Sequence, residues 1–330
     1  METWQKKWIG KSTLTLARIS NMKSVVISGA NGFIGSHLVN SFVEKGVSVV
    51  AIDLPGCNNH LTNHPLVQFF PCKMEDLDQF PQISPAPDVF YHLAWKGVSP
   101  QYRDDCATQN ENISYCLNAV RLAARLGARK FILPGSTMEY MYTAGPINGN
   151  ASPTPQNAYG AAKIACRFLS RALCEQLGVP FIYTVLTSLY GVGREDNNVL
   201  FYVIRSLLEG KRPSLTRLEQ KWDFINVDDA IRALTLIGES GRNDAFYAIG
   251  NGENRPLSEY VMTVRNLIDP QAPLGIGEIP YKTAQLPHST IDLTALRRDT
   301  GFAPSISFEE GIAQVISYYR NQQKGVPTHA

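Results

Sequence analysis

From Ser24 onward the chain alternates short runs of β-branched and other apolar residues with longer segments whose apolar positions recur at helical spacing. Residues 24–28 (SVVIS) read as a strand, and residues 33–45 as a helix with Ile34, Leu38 and Phe42 on one stripe. Further strands are expected at 47–52, 67–70, 88–92, 130–133 and 181–186, and long helices at 105–126 and 156–178. Strands that are apolar throughout, rather than alternating, are those buried on both faces. The pattern therefore predicts an α/β fold, a doubly wound parallel sheet covered by helices on each side.

After residue 191 the rhythm changes. A helix at 199–208, a polar stretch at 209–220 and Pro/Gly punctuation from 250 to 287 predict a smaller, loop-rich lobe, with 246–249 returning as a strand of the main sheet. The expected organisation is a disordered extension at 1–21, a sheet domain at 22–190 that 222–249 rejoins, and a C-terminal substrate lobe from 191–221 and 250–330. A ligand is expected in the cleft between sheet and lobe, beyond the carboxyl ends of the strands.

Composition adds mainly exclusions. With 31 Lys+Arg against 29 Asp+Glu in 330 residues, the formal net charge is +2, too little basic excess for a nucleic-acid binder. Residues 1–23 alone carry five basic side chains and one acidic, +4, so the remainder sums to −2. That leader is broken by Lys11 and Arg18 and makes a poor secretory signal. No apolar run approaches the roughly 18 residues a bilayer span requires. The six cysteines show no metal-ligand spacing, so reduced thiols, no metal and a cytoplasmic location are expected.

Two constellations carry chemistry. Ser28-Gly29-Ala30-Asn31-Gly32-Phe33-Ile34-Gly35 follows a predicted strand and opens a predicted helix. Glycines there let backbone approach a pyrophosphate at the positive helix end. Asp53 ends the second strand, where a carboxylate accepts from both hydroxyls of an adenosine ribose and repels a 2′-phosphate. This favours NAD(H), with NADP(H) the alternative. Farther along, Tyr159 and Lys163 are four positions apart on one helical face, so an ammonium stands near a phenol and favours its ionised form. Ser136 is read as following the fifth strand, where its hydroxyl either holds a substrate oxygen or caps a local turn. His92 is read as a packed, hydrogen-bonded core group, and Asp228-Asp229 as carboxylates in the first turn of a helix.

The segments SGANGFIGSHL at 28–38, HLAW at 92–95, GSTMEYM at 135–141 and WDFINVDDA at 222–230, with Asp53 and the Tyr159/Lys163 pair, resemble an extended short-chain dehydrogenase/reductase. The branch is the NAD-dependent epimerase/dehydratase family, whose members act on nucleotide-linked sugars, and the resemblance spans about residues 22–320. It implies a Rossmann sheet, a catalytic trio of Ser136, Tyr159 and Lys163, and a cofactor site of Gly29, Asn31, Gly32, Phe33, Ile34, Gly35, Asp53, Leu93 and Ala94 together with Tyr159 and Lys163. It also implies a homodimer built through the two long helices.

Departures narrow the expected reaction. The family's 4,6-dehydratases place Asp-Glu directly after the strand-5 hydroxyl, whereas Thr137-Met138 stand here. Many epimerases carry Arg before the Asp-Phe/Tyr pair, whereas Trp222 stands here. GIGEIPY at 275–281 and GFAPSISFEEG at 301–311 are similar to segments of nucleotide-4-keto-6-deoxyhexose reductases. The resemblance thus implies NAD(P)H-dependent reduction of the 4-keto group of such a sugar, with Thr137, Ser188, Asn198 and Trp222 as substrate contacts. A nucleotide-sugar 4-epimerase with retained NAD and a silent NAD-sensing protein are the alternatives.

Overall fold

The computed structural model describes residues 22–57, 59–194, 198–281, 289–323 and 325, so the expected extension at 1–21 lies outside the described residues. Seven strands, β1 (Ser24–Ser28), β2 (Ser48–Asp53), β3 (Val67–Pro71), β4 (Val89–His92), β5 (Phe131–Ser136), β6 (Phe181–Leu186) and β7 (Phe246–Ile249), form one parallel sheet in the order β3-β2-β1-β4-β5-β6-β7. This is the doubly wound α/β arrangement that uniformly apolar strands require.

Both faces of the sheet are dry, and the side chains divide between them with the strand period of two. Val25, Ile27, Val89, Tyr91, Ile132 and Ile182 enter one core, with α1 (Phe33–Glu44) and α5 (Val227–Ser240). Val26, Phe90, Phe131, Leu133, Phe181 and Tyr183 enter the other, with α2 (Cys106–Arg125) and α3 (Ala158–Leu177). Cys116, Cys166 and Cys174 are buried in this second core as small apolar groups. Caps set the helix boundaries. The Asp105 carboxylate accepts from the N–H groups of Ala107 and Thr108, Asn157 accepts from Gly160 N, and α3 stops at Gly178 with φ +69°.

The fifth strand runs farther than its apolar run predicts. It continues through Pro134 and Gly135 to Ser136, paired with β6 along its whole length, whereas β4 pairs only at Phe131 and Ile132. Proline, which has no N–H to donate, is tolerated because one side of the strand is already free of its neighbour there. Ser136 is therefore the last residue of β5 rather than a loop residue after it.

A third core lies apart from the sheet, where α4 (Val199–Leu208), α6 (Leu257–Ile268) and α8 (Phe308–Gln323) enclose Phe201, Phe224, Tyr260, Phe308 and Val315. The C-terminal stretch does not belong wholly to it. Leu293, Phe302 and Leu296 of α7 (Thr294–Thr300) pack into the sheet's first core, so the chain returns beneath the sheet before ending in the lobe. No helix among the described residues is long and apolar enough to cross a membrane.

One buried carboxylate fastens that return. Asp229, in the first turn of α5, accepts from Ser305 N (2.8 Å), Ile306 N (2.9 Å), Ser305 Oγ (2.8 Å) and the Arg232 guanidinium (2.6 Å). Its neighbour Asp228 stays at the helix start, where Asn226 supplies the cap to Asp228 N. Replacing Asp229 strands three donors at once, whereas Arg232 keeps Ala303 O and Ser305 Oγ. Asp229→Ala is expected to cost about 3 kcal/mol or more in urea unfolding. Asp228→Ala should stay within about 1 kcal/mol, and equal costs for the two would refute this division of roles.

Candidate active site

Strands β1 and β4 are neighbours whose connections leave in opposite directions, and their carboxyl ends meet at the cleft. Gly29 (φ +73°) donates its N–H to Ile52 O at 2.9 Å and lies against the loop after β4. A Cβ on Gly29 would stand 2.5 Å from Ala94 N and 2.8 Å from Leu93 C. A Cβ on Gly35 would strike the Gly29 carbonyl oxygen and stand 2.8 Å from the Ala30 backbone. The turn thus keeps its backbone bare on the cleft side. Gly32 is the N-cap of α1 and brings no side chain to cap it, leaving the first-turn N–H groups to accept an anion.

Asp53 closes the same turn from β2. Its Oδ2 accepts from Asn31 N (2.8 Å) and its Oδ1 from Leu54 N (2.8 Å). Asn31 in turn accepts from His60 N (2.8 Å) and donates to Asn59 Oδ1 (3.1 Å), so the 59–60 loop is tied to the glycine turn. Bare glycine backbone, an uncapped helix start and a strand-end carboxylate suit a dinucleotide. Gly29, Asn31, Gly32, Phe33, Ile34, Gly35 and Asp53 would hold it from one side, with Leu93 and Ala94 across the cleft.

The second constellation lies at the ends of β5 and α3. Lys163 Nζ donates to Pro134 O at 3.0 Å and stands 5.8 Å from the centroid of the Tyr159 ring. Gly160 packs against Met138 O, so the start of α3 sits directly on the turn after Ser136. Tyr159 and Lys163 are each 8% exposed, and Tyr159 N donates to Arg103 O at 2.9 Å. Ser136 Oγ accepts from Met138 N at 3.2 Å, which leaves its own O–H to be donated. Tyr159 and Lys163 stand together as their spacing anticipates, and Ser136 lies two residues beyond the Pro134 carbonyl that the lysine bonds, with Thr137 opening the next turn (Thr137–Tyr140).

Trp95, Gln109 and Glu139, to which the sequence reading assigns no role, stand beside this trio. Trp95 lies under the lysine, with Nζ 3.6 Å from the indole centroid, and meets Tyr159 edge-on at 5.5 Å between ring centroids. Its Nε1 donates to Gln109 Oε1 (3.0 Å), and the buried Gln109 amide donates to Gly97 O and Tyr102 O. Glu139 is fully buried behind Ser136, accepting from Ser136 N (2.6 Å) and Tyr183 O–H (2.8 Å) through Oε1, while Oε2 has no partner. Only its position three residues after a serine, the capping-box spacing, hints at the first bond. His92, expected to be packed, is buried with Nδ1 2.7 Å from Ser28 Oγ, and burial pushes its pKa down to about 3.

The expected substrate contacts divide. Trp222 Nε1 donates to Ser188 Oγ at 2.7 Å, which places these two side by side at the lobe boundary. Next to them Asp223 accepts from Asn251 N (2.9 Å) and Gly252 N (2.7 Å), its carbonyl accepts from Thr187 Oγ1 (2.7 Å), and burial raises its pKa to about 7. Asn198 caps α4, accepting from Leu200 N and Phe201 N. Lys96 pairs with Glu111 at 2.6 Å on the exterior.

Burial raises the Glu139 pKa from 4.5 to about 7, against the lowering pull of its two hydrogen bonds and of the Lys163 and Arg167 charges. A carboxyl with a raised folded-state pKa holds its proton more tightly than the unfolded chain does. Its contribution to stability is therefore present below the unfolded value and lost as pH rises through the folded one. Glu139→Gln, which cannot ionise, is expected to gain about 3 kcal/mol on the wild type between pH 5 and pH 8 in urea unfolding. Parallel stability profiles would show that this carboxyl does not titrate in the interior.

Comparison with known proteins agrees with this geometry. The chain is 24% identical to the CDP-abequose synthase of Salmonella muenchen over 305 residues, covering 89% of this chain and 97% of that one. It is 23% identical to the GDP-6-deoxy-D-mannose reductase of Pseudomonas aeruginosa (90% and 97%), and 27% identical to UDP-glucuronic acid decarboxylase 1 of Arabidopsis thaliana (90% and 70%). In fold it is similar to the UDP-glucose 4-epimerase of Thermotoga maritima, with a TM-score of 0.80 at 22% identity over 91% of this chain and 99% of that one. Residues 25–250 match the sequence pattern of one family across the whole sheet domain, and the chain belongs to that family, the NAD dependent epimerase/dehydratase family.

Proposed function

We propose that this protein is an NAD(P)H-dependent reductase of the 4-keto group of a nucleotide-linked 4-keto-6-deoxyhexose. The carrying observation is the side-chain set at the end of β5 and the start of α3. A phenol, an ammonium and a hydroxyl converge there. The carboxyl of that turn, Glu139, is turned inward onto Ser136 N and Tyr183. A dehydratase needs an acid and a base at this turn, whereas a ketone reduction needs a single proton donor. Two relatives matched over 97% of their own lengths, a CDP-abequose synthase and a GDP-6-deoxy-D-mannose reductase, support the same direction.

Bound nicotinamide supplies the hydride. Tyr159 donates the proton that the new alkoxide takes up, and Lys163 places its positive charge beside the oxygen that becomes negative. Ser136 donates its O–H to the substrate carbonyl while its oxygen accepts from Met138 N. Trp222 and Ser188, joined by their hydrogen bond, are the contacts that this reading gives the sugar on the lobe side. Asp53, facing the turn from β2, favours NAD(H) over NADP(H). Phe168 and Leu169 of α3 are exposed at 52% and 47%, an apolar surface suited to a homodimer built on α2 and α3.

A panel of nucleotide 4-keto-6-deoxyhexoses with NADH or NADPH tests the reading through the absorbance of the reduced cofactor. Stoichiometric consumption is expected with at least one sugar. Turnover of a nucleotide hexose with no added cofactor, by protein that purifies with nucleotide bound, would instead identify a 4-epimerase. Binding of NAD(H) with no turnover on any sugar would identify a sensing protein. Tyr159→Phe should lose about 10²–10⁴-fold in kcat while still binding the dinucleotide, and near-normal turnover in that variant would remove Tyr159 from the mechanism.

A further inference from the structure

Lys163 is almost wholly enclosed by the fold. It is 8% exposed, and among the described residues its ammonium makes one hydrogen bond, to Pro134 O, and no ion pair. The titratable groups that face it come from four elements: His92 at the end of β4, Cys116 on α2, Glu139 in the turn after β5, and Tyr159 on its own helix. Of these, only Glu139 carries a carboxyl, and both hydrogen bonds made to that carboxyl come from other groups. Where the fold itself gives a buried ammonium one acceptor, a second source of negative potential adds to its hold.

That source is directly beneath it. The indole of Trp95 presents its face to Nζ at 3.6 Å from the ring centroid, well inside the range where a ring quadrupole attracts a cation. Nor is the ring free to swing away. Nε1 donates to Gln109, and Gln109, 1% exposed on α2, is itself fixed by donating to Gly97 O at 2.8 Å and Tyr102 O at 3.0 Å. The other edge of the assembly is Tyr159, whose ring packs against the indole at 72°. Gln109, Trp95 and Lys163 thus form a chain of contacts from the α2 core to the phenol.

We propose that Trp95 is a positioning residue, its indole face being the cation floor that holds the Lys163 ammonium at a fixed place beside Tyr159. The catalytic consequence rests on the proposed reductase reading, whereas the floor itself does not. Removal of the floor leaves Pro134 O as the contact by which the fold itself holds the ammonium. Lys163 then spends more time displaced from Pro134 and open to reagent, and the alkoxide-forming step loses a positive charge held beside it.

The test reads the lysine directly. Protein is treated briefly with acetic anhydride at pH 8, and acetylation at Lys163 is compared with that at exposed lysines by peptide mass spectrometry. Trp95→Leu should raise relative labelling at Lys163 about tenfold, while Trp95→Phe, which keeps an aromatic face, should stay near wild type. A shape-preserving version covers the case in which Trp95→Leu fails to fold. Protein made with mono-, di- and trifluorinated tryptophan should show labelling that rises step by step with fluorination, and the same series in Trp95→Phe should be flat. Labelling indifferent to fluorination would overturn the proposal. With an identified sugar substrate, Trp95→Leu should lower kcat at least tenfold with the sugar KM unchanged and Trp95→Phe should restore most of it; a loss confined to KM would also overturn it. Failure of every sugar to turn over would refute the reductase reading while the labelling still decides the floor.

Discussion

Two loops must pass within backbone contact where the sheet changes direction, and most of the site follows from that approach. The turn after β1 and the loop after β4 touch at Gly29 and Leu93-Ala94 with no space for a methyl group between them. Such closeness excludes side chains from the middle of the cleft and leaves peptide N–H groups as its lining. It also fixes where the next residues go. Once Ala94 is seated on Gly29, Trp95 follows into the site, and Gln109 of α2 holds it there. The redox end and the phosphate end of the cleft are therefore registered to one another through four residues of backbone.

The same geometry explains the charges. The cleft wall is made of buried ionisable groups that keep few partners: Lys163 with one carbonyl, His92 with one hydroxyl, and Glu139 with one of its two oxygens unpaired. Burial outweighs the neighbours at His92, Glu139 and Asp223, which is why His92 is held neutral and the two carboxyls titrate near neutrality. The exposed pairs, such as Lys96 with Glu111, lie outside this regime and add little to the site.

Much of this was legible in the sequence because it depends on local pattern. Apolar runs located all seven strands, the glycine turn declared itself between a strand and a helix, and a spacing of four placed Tyr159 and Lys163 on one face. What escaped depends on contacts between distant segments. Pro134 looked like the end of a strand because its tolerance rests on where β4 stops pairing, which periodicity cannot report. Trp95 read as one letter of a motif, since the lysine that covers it is 68 positions away. Asp229 looked like an ordinary first-turn carboxylate until residues 305–306 arrived to occupy it. Glu139 was passed over because a buried carboxyl without an ion-pair partner is a combination that composition argues against.

The lobe encloses its own aromatic core of Phe201, Phe224, Tyr260 and Phe308, distinct from the two that sandwich the sheet. Near the cleft, the Asp223 peptide and carboxyl gather Thr187, Asn251 and Gly252 into one knot. Helices α4, α6 and α8 therefore pack chiefly on one another, while the glycine cradle and the phenol–ammonium pair rest on the sheet and its own helices. Such a scaffold joins two separately packed parts: a sheet that carries the glycine cradle, and a lobe with an aromatic interior of its own.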